Sequence, residues 1–297
     1  MSDSLEFTGE RFTPECVREI RYEHFHRYAL AARWCANKRT LDAACGEGYG
    51  SAFLAHSAGS VEGVDISGQA IAHARQRYGY LENVEFQQAD CINLPFPDNE
   101  FDRVVSFETL EHLAEHDQLL AEFRRVLKPD GLMILSSPDK AVYSDAQNTR
   151  NEYHVKELYR DELEALIRRH FPAFQLLGQK LMFHSVIWSG DDLKQLTIDQ
   201  VSGEKIESPA SITQPPMYFI ALCAADGDYL PDVEGQVWLF DDEEESVYRH
   251  YYNEIRLHIA AGGIIAGLEK EIVELKKQSE QRSSPQKPWW QRLLGKS

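Results

Sequence analysis

The chain has 297 residues, enough for one large α/β domain with an appendage. Acids outnumber bases by 48 to 31, and the net charge of −17 argues against general binding of nucleic acid over the surface. The five cysteines show no zinc spacing, the N-terminus is too polar and acidic for a signal peptide, and no apolar run reaches the ~18 residues of a membrane span. A cytoplasmic protein with reduced thiols is expected.

The first predicted element is a helix that starts at Thr13 and ends near Ala36. Its middle, residues 22–28, is dense in polar aromatic side chains. An amphipathic helix that covers a sheet edge explains this pattern, and so does a lid over a bound ligand. In the second case Tyr22 or Arg27 would meet a carboxylate group of that ligand.

A glycine-rich turn follows a short apolar strand and precedes a second helix. Gly46, Gly48 and Gly50 alternate with other residues, and the motif starts at Asp42. Glycine lets the backbone approach a ligand closely, and a helix N-terminus offers free N–H groups. The spacing matches neither the Gly-x-Gly-x-x-Gly dinucleotide loop nor the Gly-Lys-Ser/Thr phosphate loop. An ordinary strand-to-helix turn is the plain alternative.

Strands and helices alternate after this turn. Strands are predicted at residues 61–65, 84–87, 101–106 and 132–136, helices at 67–78 and 110–127, and an antiparallel edge pair at 173–177 and 217–223. Such alternation predicts an α/β fold with a parallel sheet and helices on both faces. Ligands of these sheets bind beyond the carboxyl ends of the strands.

Two acids close the second and third strands. Asp65 could accept hydrogen bonds from both hydroxyls of a ribose, although it could also cap the helix that starts after Ser67. Asp90 could accept a hydrogen bond from the amino group of an adenine, with a backbone contact from Cys91. The pattern therefore favours a nucleoside ligand.

The run Asp42-x-x-x-Gly46-x-Gly48 with these two acids resembles the first motifs of class I S-adenosylmethionine-dependent methyltransferases. The commonest form of the family has glycine where this chain has Ala44. Residues 94–102 and 127–132 resemble later motifs of the same superfamily. The likeness covers about residues 36–137.

This resemblance implies a Rossmann-like seven-stranded sheet with helices on both faces, and S-adenosyl-L-methionine as the cofactor. The cofactor-binding residues that it implies, together with those on the first helix, are Tyr22, Arg27, Asp42, Ala44, Gly46, Gly48, Asp65, Ile66, Asp90, Cys91 and Phe107.

A candidate metal site follows the fourth strand. Glu108, Glu111 and His112 are spaced so that a helical turn would place them on one face. Acids at the start of a helix explain the pattern simply. A few sugar- and catechol-type relatives carry a similar Glu-x-x-Glu-His at a divalent metal, and His116 or His154 would complete such a set for magnesium, manganese or zinc.

His154 is also the candidate general base. It lies in residues 148–158, the segment that lines the acceptor pocket in the family. Methyl transfer is an in-line displacement that depends mostly on positioning, but a hydroxyl acceptor benefits from a base. A histidine that merely bonds the backbone is the alternative.

The chain divides into a predicted methyltransferase domain (1–229), a linker with a helical or coiled-coil segment (230–284), and a basic amphipathic tail (285–297). Apolar residues recur at heptad spacing, at Ala261, Ile265, Leu268, Ile272 and Leu275. This seam would pair with another copy of the chain or pack on its own domain. The tail would hold the protein at the periphery of the inner membrane, bind a partner in a biosynthetic complex, or pack on the core.

The motifs at residues 9–15, 22–28 and 44–50 together resemble bacterial methyltransferases of surface-polysaccharide biosynthesis, including O-antigen enzymes. An O-methyltransferase that acts on a sugar hydroxyl of a membrane-associated glycan, such as lipopolysaccharide, is the function that this implies. A methyltransferase for a quinone-like or secondary-metabolite hydroxyl fits the same core. A non-catalytic cofactor-binding scaffold organised by its tail is the third possibility.

Overall fold

The structure, a computed structural model, describes residues 19–184, 197–198, 200–202 and 205–283. Its helices are α1 (Glu19–Cys35), α2 (Tyr49–Ala55), α3 (Gly68–Tyr78), α4 (His116–Val126), α5 (Arg160–His170) and α6 (Ser246–Ser283). Its strands are β1 (Arg39–Ala43), β2 (Ser60–Asp65), β3 (Val84–Gln88), β4 (Phe101–Ser106), β5 (Leu127–Pro138), β6 (Ala173–Gln179), β7 (Gln200–Ser202), β8 (Lys205–Glu207) and β9 (Tyr218–Ala224). The predicted helix start at Thr13 and the tail 285–297 lie outside the described residues.

The main sheet has seven strands in the order β3-β2-β1-β4-β5-β9-β6. The first five strands are parallel, so their carboxyl ends meet at one edge. β9 runs antiparallel between β5 and β6. The predicted seven-stranded α/β sheet is confirmed, and the antiparallel pair fills its last two positions.

Each face of the sheet carries its own apolar cluster. Val104 faces one cluster, where Phe123 of α4 and Ile167 of α5 are fully buried. Val105 faces the other cluster, which includes Leu54 of α2 and residues of α1 and α3. Adjacent strand residues point to opposite faces, so one strand serves both layers. Helices therefore cover both faces, as predicted.

One predicted helical segment is interrupted, and one predicted strand start is wrong. Residues 110–127 are largely helical, as predicted, but they do not form one helix, because Leu113 is extended (φ −135°, ψ 161°) between a 3-10 turn at Leu110–His112 and α4. An extended residue interrupts the i to i−4 hydrogen bonds that a helix needs. β5 begins at Leu127 rather than at residue 132, and its pairing with β4 shifts register between Phe101 and Arg103.

The chain forms two compact units, Met1–Asp241 and Asp242–Ser297. The segment predicted as a linker from residue 230 packs within the first unit up to Asp241. Trp238 lies edge-on to Trp34 with ring centres 6.4 Å apart, and Phe240 lies edge-on to Tyr22 at 5.4 Å. Among the described helices, none is long and apolar enough to cross a membrane.

Candidate functional site

The glycine-rich turn is shaped by a run of left-handed backbone. Ala44, Gly46 and Gly48 have φ values of 60°, 56° and 87°. A Cβ atom at Gly48 would lie 2.6 Å from the ring of Phe86, whereas one at Gly46 would meet no atom within 4 Å. The turn is thus packed on one side and open on the other, and the open side is where a ligand can lie against the backbone.

Asp42 lies beneath this turn and is fully buried. Its carboxylate accepts hydrogen bonds from the Tyr28 hydroxyl at 3.1 Å and from Ser51 Oγ at 2.6 Å. Burial raises its pKa to about 7, although the two hydroxyl donors lower it. The sequence predicts Asp42 as a cofactor residue, but the structure gives it a supporting position in which it ties α1 and α2 to the end of β1.

Asp65 joins two turns at the carboxyl edge of the sheet. Its Oδ2 accepts a hydrogen bond from the Gly46 N–H at 3.0 Å, and its Oδ1 accepts one from the Ser67 N–H at 2.8 Å. Ser67 Oγ in turn caps α3 by accepting from the Ala70 N–H. The neighbouring Ile66 side chain is 65% exposed, so a flat apolar surface stands beside the fixed carboxylate.

Three further residues that are predicted to bind the cofactor differ in exposure. Asp90 is exposed, and its Oδ1 accepts a hydrogen bond from the Ile92 N–H at 3.1 Å. Cys91 is buried, and burial raises the pKa of its thiol to about 12, which keeps it protonated and inert. Phe107 is buried with its ring edge-on to Tyr28, 5.1 Å between centres.

Arg27 stands at the centre of a buried polar cluster. Its Nη1 donates to Gln179 Oε1 at 2.8 Å, its Nη2 lies 3.4 Å from Glu108 Oε1, and its guanidinium covers the ring of Tyr218 at 4.8 Å. Burial by itself lowers the Arg27 pKa, but the electrostatic effects of Glu108, Tyr218, Glu23 and Tyr49 together outweigh it, and the pKa is raised. Nε has no hydrogen-bond partner among the described residues, so one buried donor is left for a ligand.

Tyr22 and Arg27 point to different partners although both lie on α1. The Tyr22 hydroxyl donates to Asp241 Oδ1 at 3.0 Å, and its ring contacts Phe240. The structure therefore does not bring Tyr22 into the Arg27 cluster. Of the two predicted carboxylate-binding residues on the helix, only Arg27 lies beside Glu108.

Glu108 does not share a helical face with Glu111 and His112. It precedes the 3-10 turn with a left-handed φ of 52°. Its Oε1 accepts a hydrogen bond from Ser136 Oγ at 3.0 Å, and its backbone N–H donates a hydrogen bond to Ser136 Oγ, also at 3.0 Å. The predicted helical arrangement is wrong, because positive φ breaks the i, i+3 geometry.

Glu111, His112 and His154 do come together. One potential ligand atom from each lies within 4.8 Å of the others. Glu111 is 1% exposed, and neither carboxylate oxygen has a hydrogen-bond partner within the described part of the chain. Burial raises the pKa of Glu111 well above its usual range. His116, the other predicted ligand, is not part of this group.

Neighbouring groups indicate which tautomer each of the two imidazoles adopts. His112 Nδ1 lies 3.1 Å from the Tyr153 carbonyl oxygen, which can only accept, so Nδ1 carries the proton. Asn151 Oδ1 accepts from the Tyr153 N–H, which turns its amide nitrogen toward His154 Nε2 at 3.0 Å. His154 Nδ1 then donates to Glu157 Oε1 at 2.6 Å. Nε2 is therefore the acceptor nitrogen of the His154 ring, and it accepts the Asn151 N–H.

Aromatic rings line this cluster. Tyr143 stacks on His154 with centres 5.3 Å apart, His112 meets His154 edge-on at 5.1 Å, and Tyr218 meets Tyr143 at 5.7 Å. Sequence reasoning missed Tyr143, Tyr218, Gln179, Asn151 and Glu157 as parts of the site. The spacing Asn151-x-x-His154-x-x-Glu157 was the available signal for the last two.

Part of the chain is similar in sequence to known methyltransferases. Residues 41–135 match the sequence family described as methyltransferase domain. A probable S-adenosylmethionine-dependent methyltransferase of Mycobacterium tuberculosis is 38% identical over 166 residues, which cover 55% of this chain and 60% of that protein. A fatty-acid O-methyltransferase of Mycolicibacterium smegmatis is 31% identical over 152 residues, 50% of this chain and 48% of that protein. The chain thus spans about half to three-fifths of the length of these relatives.

The PH0226 protein of Pyrococcus horikoshii shares the fold. Its crystal structure superposes with a TM-score of 0.50 at 22% identity, over 72% of this chain and 94% of that one. The part of the chain around the glycine-rich turn is thus similar in sequence to S-adenosylmethionine-dependent methyltransferases, and its fold is that of the PH0226 protein.

Proposed function

We propose that the protein transfers the methyl group of S-adenosylmethionine to a hydroxyl group. The glycine-rich turn carries the proposal, because a side chain at Gly46 would occupy open space beside the carboxylate of Asp65. Asp65 would hold the ribose, Ile66 would cover one face of the adenine, and Asp90 would meet its amino group. Arg27 Nε is a buried donor suited to the methionine carboxylate.

Two glycines give a matched test of the cofactor site. Gly46 and Gly235 both have positive φ, 56° and 68°, and a Cβ at either would meet no atom within 4 Å. Alanine at either should therefore destabilise the fold alike, by ~1–2 kcal/mol. Calorimetric titration with S-adenosylhomocysteine should show at least a tenfold weaker affinity for Gly46→Ala and no change for Gly235→Ala. Wild-type protein that fails to bind, or equal loss in both variants, would overturn the cofactor site.

The chain's contribution to the chemistry is positioning and proton transfer. When bound, S-adenosylmethionine would supply a methyl group on a positively charged sulfur; the methyl group would pass to the acceptor oxygen as its bond to sulfur breaks, leaving the neutral thioether S-adenosylhomocysteine. His154 would accept the hydroxyl proton on Nε2 once Asn151 gives way, and Glu157 would stabilise the imidazolium through Nδ1. Tyr143, stacked on His154, would help to orient the acceptor.

The same cluster could instead bind a divalent metal ion. The carboxylate of Glu111 favours this, because neither of its oxygens has a hydrogen-bond partner among the described residues. Two imidazoles and one carboxylate form a donor set that suits magnesium, manganese or zinc, with zinc preferring the nitrogens. The bonds from His112 to Tyr153 and from His154 to Glu157 orient the rings as outer partners of metal ligands commonly do. His154 would then be a ligand instead of the base.

The effect of added ions on the melting temperature distinguishes the metal ligand from the general base without an activity assay. Ion binding predicts that magnesium, manganese or zinc raises the melting temperature of wild-type protein, and that Glu111→Gln abolishes the shift. Glu115→Gln, at an exposed carboxylate four residues away, should keep it. No shift with any of the three ions would overturn the metal and leave His154 as the base.

A sugar hydroxyl on a membrane-associated glycan is the acceptor that we propose within this class, supported by the resemblance of residues 9–15, 22–28 and 44–50 to O-antigen enzymes. Turnover should be compared for nucleotide sugars, lipid-linked oligosaccharides, quinone-like phenols and fatty acids. Methylation of a phenol or a fatty-acid carboxylate instead would replace the glycan. Cofactor binding without turnover on any class would favour the scaffold.

Peripheral attachment to the inner membrane through residues 285–297 stays a prediction from the sequence. Truncation after residue 284 should abolish co-sedimentation with anionic vesicles, while neutral vesicles should bind neither form. Equal co-sedimentation of both forms would contradict it.

A further inference from the structure

Helix α6 presents a continuous apolar seam. The helix has 38 residues, Ser246–Ser283. Four large apolar side chains on its C-terminal half are each 50–56% exposed: Ile265, Leu268, Ile272 and Leu275. Together with Ala261 they recur at alternating steps of four and three, which is the heptad spacing of a coiled coil.

The residue types within the heptads indicate the number and direction of the strands. With Ile265 and Ile272 at a positions, the d positions hold Leu268 and Leu275. β-branched residues at a with leucine at d pack best in parallel two-stranded coils, because the a and d side chains meet their partners at different angles. This pattern argues against three or four strands.

Charge supports the same direction. In this register Glu271 occupies a g position and Lys276 the following e position. In a parallel coil each g residue lies beside the e residue five positions later on the partner helix. Glu271 of each copy would thus face Lys276 of the other, giving two symmetric pairs of opposite charge.

We propose that residues 261–278 of α6 pair with the same residues of a second copy as a parallel, in-register, two-stranded coiled coil. In the preceding heptads, the d position at Glu254 and the a position at His258 are polar, so the apolar seam ends there. The paired region is about 27 Å long at the usual rise per residue. So short a seam predicts a dimer that dissociates on dilution.

Adjacent apolar residues provide a matched test. Ile272 and Val273 are 50% and 52% exposed on the same helix, but only Ile272 lies on the seam. Sedimentation of the full chain should show a dimer for wild type and Val273→Asp, and a monomer at the same concentration for Ile272→Asp. Three results would overturn the proposal: a wild-type monomer at the highest concentration of a 100-fold dilution series, a trimer, or equal loss of the dimer in both variants.

Direction is tested by charge exchange and by cross-linking. Glu271→Lys and Lys276→Glu should each weaken the dimer, and the double exchange should restore it. Leu275→Cys should oxidise to a covalent dimer because d residues face their own copies in a parallel coil, whereas Lys277→Cys, on the outer face, should not. The described native cysteines are buried and give little background. Absence of the Leu275→Cys dimer would overturn the parallel arrangement, whatever the outcome for cofactor binding.

Discussion

The Tyr28 hydroxyl donates a hydrogen bond to the fully buried carboxylate of Asp42 across 3.1 Å. This bond joins α1 to the end of β1 directly beneath the glycine-rich turn. The two residues are 14 apart in sequence and belong to different elements, so the bond is a contact between a helix and a strand. The same carboxylate holds Ser51, so the shape of the turn depends on one buried acid.

Tyr28→Phe should destabilise the fold by about 1–2 kcal/mol, because Asp42 loses one of its two donors while buried. Urea unfolding followed by circular dichroism measures this change. Tyr229→Phe is the control, since Tyr229 is 47% exposed and should change stability by less than about 0.5 kcal/mol. Equal effects of the two variants would contradict a structural role for the bond.

Asp42 should also impose a pH dependence on stability. Burial raises its pKa to about 7 in the fold, whereas the unfolded chain titrates near the ordinary value of about 3.9. The unfolded state therefore releases this proton first, and stability falls as the pH rises from about 4 to 7. Asp42→Asn removes this titration. The unfolding free energy of the variant, measured relative to wild type, should therefore increase as the pH rises from about 4 to 7. Parallel curves for the two proteins would show that Asp42 titrates normally.

The sheet was predictable because its signals are local. Alternating apolar strands, the glycine-rich turn and the helix cap at Ser67 each depend on residues within a few positions of one another. The strand ends therefore placed Asp65 and Asp90 at the correct edge. The missed break at Leu113 has no glycine or proline to announce it, and the apolar spacing continues on both sides.

The polar clusters were not predictable for a physical reason. Arg27 reaches Gln179 across 152 positions of sequence, and no local pattern encodes such a contact. The spacing of Glu108 and Glu111 is helical, but Glu108 has a positive φ. Its carboxylate lies with Ser136 and Arg27, whereas that of Glu111 lies near the two histidines. Sequence spacing predicts which side chains share one face of a helix only where the backbone is regularly helical.

Ala44→Gly should stabilise the protein, because alanine at a φ of 60° is strained. The relief should exceed the entropy that glycine adds to the unfolded chain and leave a gain of about 0.5–1 kcal/mol. Ala146→Gly is the matched control, since Ala146 is exposed with a φ of −67° and should lose about the same amount. Loss of stability in both variants would show that Ala44 is held by packing.

Glu157→Gln should lower turnover by about 10- to 100-fold, because the charged partner that orients His154 is removed. The effect is expected whether His154 acts as a base or as a metal ligand. Glu152→Gln, an exposed acid on the same segment, should retain full turnover. Affinity for S-adenosylhomocysteine should stay unchanged in both, and a shared loss of affinity would indicate a folding defect instead.

The antiparallel pairing of β6 with β9 has a consequence for how such enzymes diverge. Gln179 and Tyr218 are register partners, so residues 180–217 leave and re-enter the sheet at one point. Lengthening a segment with fixed ends costs only about 0.6 kcal/mol for each doubling. Both end residues contact Arg27, so any segment grafted between them starts and finishes beside the buried cluster. A change in the length of this segment would therefore leave the strand register and the glycine-rich turn unchanged.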